Sequence, residues 1–386
     1  MRRCRRALVI VAVVFALALA GWCATRPSVE QRALALQQRL LEGVQDPDAQ
    51  AEVAAALRHR NPEWDLMHRT FLALALVDRA IADPEQAPAL LPRIDALVQS
   101  QIDDQRRFGD RYFLLPYGQR GDFADPAGAS VFVDGEIALV LGARRFVRDD
   151  PTVAAEHRAR VAAIAAQIER SPSLLAESYP GEAWLFCNTN ALVAIRMADV
   201  LDGSDHGGLV ARWVAHARTA LVDPATGLLG SEFSWQGAPR DGPEGSSLWL
   251  VAANLRLLDD GFAQEQYARA KQALLGRVLG LGYAREWPTA THGTVDVDSG
   301  PVVPVLGASA SSSGFALLAA RVFDDQRSFD SLARSLGAAD LVLALDPALA
   351  AMADNAMGDA VLLYALGAGP LWRRIGAAAL APPDNL

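Results

Sequence analysis

The sequence predicts an all-α protein built from six helix hairpins, and two observations carry that prediction. First, a turn-rich stretch holding Asp or Glu recurs at intervals of roughly 50–70 residues, within the range of repeat architectures. The six stretches are Asn61-Pro62-Glu63-Trp64-Asp65, Val133-Asp134-Gly135-Glu136, Tyr179-Pro180-Gly181-Glu182, Asp241-Gly242-Pro243-Glu244, Val295-Asp296-Val297-Asp298-Ser299-Gly300 and Met352-Ala353-Asp354-Asn355. Second, each leads into an apolar run, a short hinge and a more polar run, the pattern of an antiparallel helix pair. If the six pairs close into a ring, the leaders gather at one end and their carboxylates share one mouth.

The elements follow in order. Residues 1–24 read as a signal peptide or signal anchor. Met1-Arg2-Arg3-Cys4-Arg5-Arg6 is a basic start, Ala7 to Ala20 is unbroken apolar sequence, and Ala18-Leu19-Ala20 offers small residues for cleavage. Such a segment places the body outside the cytoplasm, periplasmic or held at the inner membrane by a tether through residues 7–22. Residues 25–60 form a helical extension with short helices over 29–44 and 48–59, and residues 61–386 form the ring.

The first pair covers 66–82 and 89–101. Leu66, Phe71, Leu72, Leu74 and Leu76 make its first helix apolar nearly all round, hence buried. Asp83-Pro84 ends that helix. The next pairs are 136–147 with 153–169, 183–201 with 209–221, 246–258 with 263–279, 309–323 with 328–336, and 356–366 with 370–379. Strand character is confined to 112–115 and 302–306. The long irregular segments 104–132, 223–245 and 283–308 each precede the first helix of a pair. Long loops on a helical scaffold are a usual seat of function. These carry Tyr112, Phe113, Tyr117, Phe123, Phe233, Trp235, Tyr283 and Trp287.

Composition narrows the function classes. The chain has 386 residues, 51% of them hydrophobic, so a large core is available. A net charge of −9 argues against a nucleic-acid partner, which requires a basic face. No H-x-x-x-H or C-x-x-C spacing is present, so neither a metal site nor a cofactor is expected. The sequence also lacks a G-x-S-x-G elbow, a P-loop and a dinucleotide fingerprint. Small-molecule chemistry by side chains is what remains, and an oligomer is compatible with it.

The candidate residues are mostly carboxylates of the leaders. Of Asp134 and Glu136, one is expected to cap a helix and the other, Glu136, to point into the ring. Asp65 stands at the first helix start, with His68 one turn later. Glu182 opens the third inner helix, followed by Cys187 and Asn188, polar groups that cost stability unless satisfied or used. Asp296 and Asp298 alternate with valines and share one side of an extended stretch. Paired carboxylates push one pKa upward and create a proton donor. Tyr117, Tyr179, Trp184, Trp249 and Trp287 are the aromatic candidates for holding a substrate.

The segments 61–65, 132–136, 179–188 and 298–301 resemble bacterial proteins related to linalool dehydratase/isomerase. The resemblance spans most of the chain after about residue 60 and implies an (α/α)6 toroid with an export signal. In that family an Asp, a His, tyrosines and two cysteines surround an allylic alcohol. Asp65 and Cys187 fall at matching places, whereas Asp134 and Glu136 stand where the family has its His, and no second cysteine lies upstream of Cys187 within the folded region.

Three functions stay open. An acid–base dehydratase or isomerase would use Glu136 or Asp298 as proton donor and Asp65 or Cys187 to assist proton removal from a terpenoid-like alcohol. A glycoside hydrolase or polysaccharide lyase would use two carboxylates on a carbohydrate. A non-catalytic envelope scaffold would leave the acidic leaders singly exposed. An apolar closed pocket points to the first, and an open groove with exposed aromatics to the second.

Overall fold

The computed structural model describes residues 27–289, 302–303, 305–346 and 355–380. The described chain is mostly helical. Helices α1 (Val29–Glu42) and α2 (Pro47–Arg60) precede α3 (Pro62–Ala82) and α4 (Ala87–Phe108). Then follow α5 (Val131–Val147), α6 (Pro151–Arg170), α7 (Leu185–Asp202) and α8 (Gly207–Ala220). The last are α9 (Gly245–Leu255), α10 (Asp260–Leu274), α11 (Ala310–Val322), α12 (Gln326–Leu345), α13 (Ala356–Gly367) and α14 (Pro370–Leu380).

Many of the polar residues that punctuate the sequence are N-caps. Ser28, Asp46, Asn61, Ser130, Asp150, Asp259, Ser309 and Asn355 each accept a hydrogen bond from a backbone N–H of the helix they start. Each such cap contributes about 1 kcal/mol. At Ser130 the cap changes the register of the site. The turn expected at Val133-Asp134-Gly135-Glu136 is instead helical, because α5 starts at Val131. Glu136 therefore lies inside the helix, beyond its first turn. Gly135 is tolerated there because it lets α5 approach α7: a Cβ on it would lie 3.2 Å from Ala191 Cβ.

The helices α3, α5, α7, α9, α11 and α13 are buried along most of their length. Each packs on the next in that order, and α13 packs back on α3. Outside them α4, α6, α10 and α12 pack against α3, α5, α9 and α11 respectively. The middle of the cycle is filled by aromatic rings from four different helices. The Phe71 and Phe315 centroids are 5.5 Å apart, Phe71 and Tyr364 5.9 Å, and Phe186 and Phe315 5.8 Å. Burying one such side chain contributes roughly 1.5–3 kcal/mol.

The sixth pair departs from the hairpin expected. Helix α14 does not lie outside α13 as a flanking helix. It packs on α3, α5 and α7 across the end where the inner helices terminate. The Asp78 carboxylate, near the C-terminal end of α3, accepts from Leu371 N at 2.7 Å, and Trp372 Nε1 donates to Ala253 O at 2.9 Å. A carboxylate 293 positions away in sequence thus caps this helix. The flank of α13 is taken by α1. Ion pairs join Arg39 to Asp359 and Arg79 to Glu30, at 2.6 and 2.5 Å, and a further pair joins Arg32 to Asp340.

Short strands line the opposite end, where the inner helices begin. β1 (Ala183–Trp184), β2 (Glu232–Phe233) and β3 (Pro239–Asp241) form an antiparallel sheet in that order. β4 (Leu275–Val278) and β5 (Leu281–Ala284) form a hairpin where the helical pattern was expected to run on to residue 279. Its turn needs positive φ, 50° at Leu279 and 85° at Gly280. β6 (Val302–Val303) pairs with β7 (Ala308–Ser309). The strand-like stretch at 112–115 is mostly a short 3₁₀ turn, Asp110–Phe113.

Candidate active site

Two groups of side chains meet at the end where the inner helices begin. The deeper one joins α3, α5 and α7. Glu136 is fully buried, and its Oε2 accepts from Thr70 Oγ1 at 2.7 Å. Thr70 Oγ1 in turn accepts from Gln101 Nε2 at 2.9 Å. Glu136 Oε1 has no hydrogen-bond partner among the described residues. Burial pushes this carboxyl up to about 8, and the charge of Glu63 adds to the rise. Glu63 accepts a short hydrogen bond from the Tyr179 hydroxyl, which itself accepts from Leu115 N at 2.9 Å. Cys187 is buried in the first turn of α7. Burial pushes its thiol well above the ordinary range, Glu136 and Glu63 add to the rise, and Ser178 opposes it by a hydrogen bond. Burial thus favours the protonated thiol over the thiolate.

The second group forms the rim. Tyr117 stacks on Tyr179 with centroids 5.3 Å apart, and its hydroxyl donates to Glu182 Oε2 at 3.2 Å. Trp184 Nε1 reaches the same oxygen at 3.3 Å. Trp184 on β1 stands opposite Glu232 on β2, and Glu232 stands opposite Asp241 on β3. Burial pushes Glu232 up to about 7; Glu182 and Asp241 add to this and Arg240, 3.8 Å away, opposes it. Glu244, the residue before α9, is pushed up to about 8, first by burial and then by Asp241 and Glu286, while the Trp287 indole opposes the rise. Glu286 is fully buried. Its Oε1 accepts from Ser246 N at 3.0 Å and from Ser246 Oγ at 2.5 Å. The two groups are continuous through the Tyr179–Tyr117–Glu182 contact, so an arc of carboxylates and aromatic faces runs along the mouth.

Of the residues singled out in the sequence, Glu136, Cys187, Tyr179, Tyr117, Glu182, Trp184 and Trp287 belong to this arc. Others are held elsewhere. Asp65 pairs with buried Arg69 at 2.6 Å, and Arg69 also binds Asp104 at 2.8 Å, which turns Asp65 toward the outer helix α4. Burial still outweighs the arginine and raises the Asp65 carboxyl. Asp134 is bound by Gln105 and Arg160, each at 2.8 Å, and faces outward. Asn188 spends its amide on Ala176 N, Ala176 O and Trp184 O, each at 2.9 Å, so it fastens the 171–184 loop, with both donors used and the side chain fully buried. Trp249 is buried in the wall, its indole donating to Ser312 Oγ at 3.1 Å, and presents no free face. His68 is buried with its pKa lowered to about 4, chiefly by burial, and stays neutral. Asp296 and Asp298 lie outside the described residues.

Glu63, Glu232, Glu244 and Glu286 complete the arc without having been singled out. Glu63 and Glu244 were visible as members of acidic leaders. Glu232 and Glu286 each precede an aromatic residue inside a long loop, in Glu232-Phe233 and Glu286-Trp287, a weak signal. Among the described residues no group of three or more His, Cys, Asp or Glu has the geometry to hold a metal ion. The sequence matches no family model.

Proposed function

We propose that this protein is an exported enzyme of the (α/α)6 toroid type that performs acid–base chemistry on a carbohydrate at its mouth, by glycosidic cleavage. The cyclic packing of α3, α5, α7, α9, α11 and α13 supports the toroid. The basic, then apolar, start of the chain supports export, although residues 1–26 lie outside the described part. No helix among the described residues is long and apolar enough to cross a membrane.

The observation that carries the reading is Glu232: a half-buried rim carboxyl that burial pushes up to about 7, with the charge of Glu182 adding to the rise. A general acid works best when its pKa lies near the working pH. Glu182 lies two residues before Trp184, the strand partner of Glu232, and its charge acts on Glu232. Inverting glycosidases separate their carboxyls by about 6.5–9.5 Å to admit a water. In this reading Glu232 protonates the leaving oxygen and Glu182 activates the water. Tyr117, Trp184 and Trp287 supply faces for sugar rings, and all three are at least partly exposed.

The deeper group favours a second reading, dehydration or isomerisation of an alcohol with Glu136 as acid beside Cys187. The aromatic filling of the ring's middle weighs against it, because a terpenoid needs an apolar cavity. The deciding experiment incubates full-length protein, purified in detergent, with polysaccharides and with allylic terpene alcohols. Release of reducing ends that disappears in Glu232→Gln supports the first reading. Conversion of the alcohol that survives Glu232→Gln and is lost in Glu136→Gln supports the second.

A further inference from the structure

Helix α8 approaches its inner partner α7 less closely than α4, α6, α10 and α12 approach theirs. A groove of about 440 Å³ opens beside α7, between α8 and the hinge that follows α9. That volume falls within the roughly 300–1,000 Å³ usual for small-molecule sites. Val210 and Val214, one turn apart on the apolar face of α8, form one wall. Leu257 and Leu258, in the hinge between α9 and α10, form the other. Arg196 reaches the groove from α7. It is only partly exposed, and its guanidinium makes no hydrogen bond or ion pair among the described residues. The neighbouring acids are engaged elsewhere. Asp199 accepts from His206 N at 3.2 Å and lies 2.7 Å from His206 Nδ1, which fastens the start of α8. Asp259 caps α10 by accepting from Phe262 N at 2.8 Å, and it pairs with Arg218 at 3.0 Å. Glu265 shares Arg218 at 3.4 Å. Arg196 is thus the groove's uncompensated cation. The groove is remote from the mouth, since Arg196 lies roughly 16–17 Å along α7 from Leu185 at 1.5 Å per residue.

We propose that this groove is a second binding site, separate from the mouth, for a small monocarboxylate with an apolar body, of the size of a medium-chain fatty acid. The proposal does not depend on the carbohydrate reading. A guanidinium offers five N–H donors in a planar fork, which matches a carboxylate through two parallel hydrogen bonds. The valine and leucine walls take an aliphatic chain out of water. Charge then selects among anions. Arg196 supplies one positive charge without a partner, while Asp199 and Asp259 set two carboxylates along the same groove. A single negative charge is balanced there, and a dianion such as phosphate meets repulsion. A neutral alcohol of the same length covers the apolar walls and leaves Arg196 unanswered.

The probes are hexanoate, 1-hexanol and inorganic phosphate, titrated calorimetrically into full-length protein in detergent, with detergent blanks subtracted. Hexanoate should bind at least about tenfold more tightly than either of the others and should raise the melting temperature by mass action. Arg196→Gln should weaken hexanoate about tenfold and abolish its advantage over 1-hexanol. The melting temperature of that variant without ligand should hold, because the side chain has no partner to lose. Ala215→Trp fills the groove from an exposed position on α8 without changing its charge, and should also weaken hexanoate about tenfold. Glu232→Gln, at the mouth, should bind hexanoate as the wild type does. Equal binding of hexanoate and 1-hexanol overturns the proposal, as does phosphate binding as tightly as hexanoate. Full hexanoate affinity in Arg196→Gln or in Ala215→Trp overturns it too. Loss of binding in Glu232→Gln assigns the ligand to the mouth and overturns the second site. Binding of none of the three probes overturns it as well, and leaves the carbohydrate reading untouched.

Discussion

Replacing Glu136 by Gln tests how deeply the polar group between α3 and α5 is buried. The amide keeps an acceptor for the Thr70 hydroxyl, so the 2.7 Å hydrogen bond can persist while the ionisable proton is removed. In the unfolded chain this carboxyl loses its proton near 4.5, and in the folded protein near about 8. Its favourable contribution is therefore complete below pH 4.5 and drains away as the pH climbs toward 8. At about 1.4 kcal/mol per tenfold, a gap of that width is worth on the order of 4–5 kcal/mol. The assay is urea unfolding followed by circular dichroism at pH 5, 7 and 9 for both proteins. The variant should be close to wild type at pH 5 and more stable at pH 9 by several kcal/mol. If the two stability curves run parallel across that range, the carboxyl is not buried uncompensated and the reasoning is refuted.

Other outcomes follow from the same structure. Activity should fall as pH rises through about 7, because Glu232 must carry its proton to act as an acid, and Glu232→Gln should lower kcat by roughly 10²–10⁴-fold; a pH–rate profile with no limb in that region would contradict the assignment. Tyr117→Ala, at a residue 55% exposed, should raise KM with little change in the melting temperature, measured side by side. Asp78→Ala removes the cap of α14 and should cost about 1–2 kcal/mol; hydrogen exchange should show residues 370–380 losing protection before the rest of the chain. Gly142→Ala drives a Cβ to 2.7 Å from Met197 Sδ and 2.9 Å from His157 Nε2, and should destabilise thermal unfolding by about 1–3 kcal/mol, as overpacking does.

The helices were legible because their signals are local. Apolar spacing placed the inner helices, and Asp83-Pro84 marked the end of the first of them. The acidic leaders at 61–65, 179–182 and 241–244 sit at or just before the starts of α3, α7 and α9. What escaped was set by tertiary context. Glu136 was displaced into its helix because Ser130 competes as the cap and Gly135 serves close packing against α7, a role no single-chain pattern displays. The two-residue strands carrying Trp184 and Glu232 have no periodicity to read; they exist because loops distant in sequence pair where the inner helices begin. Asp134 and Glu136 look alike in sequence, and their fates differ only because Arg160 waits on the outer side and Thr70 on the inner. Helix α14 reads as one more flanking helix until Asp78, on the first inner helix, is found holding its start.

The seat that α1 occupies beside α13 has a kinetic consequence. The first described helix completes its packing against one of the last to be made, so 320 residues separate the partners in Arg39–Asp359. At about 5–20 residues per second of synthesis, an interval of roughly 15–65 s passes before the two can meet. Through that interval the apolar flank of α3 waits without its final neighbour. A chain halted before α13 therefore lacks the partner of both α1 and α3, and contacts of such long range slow folding.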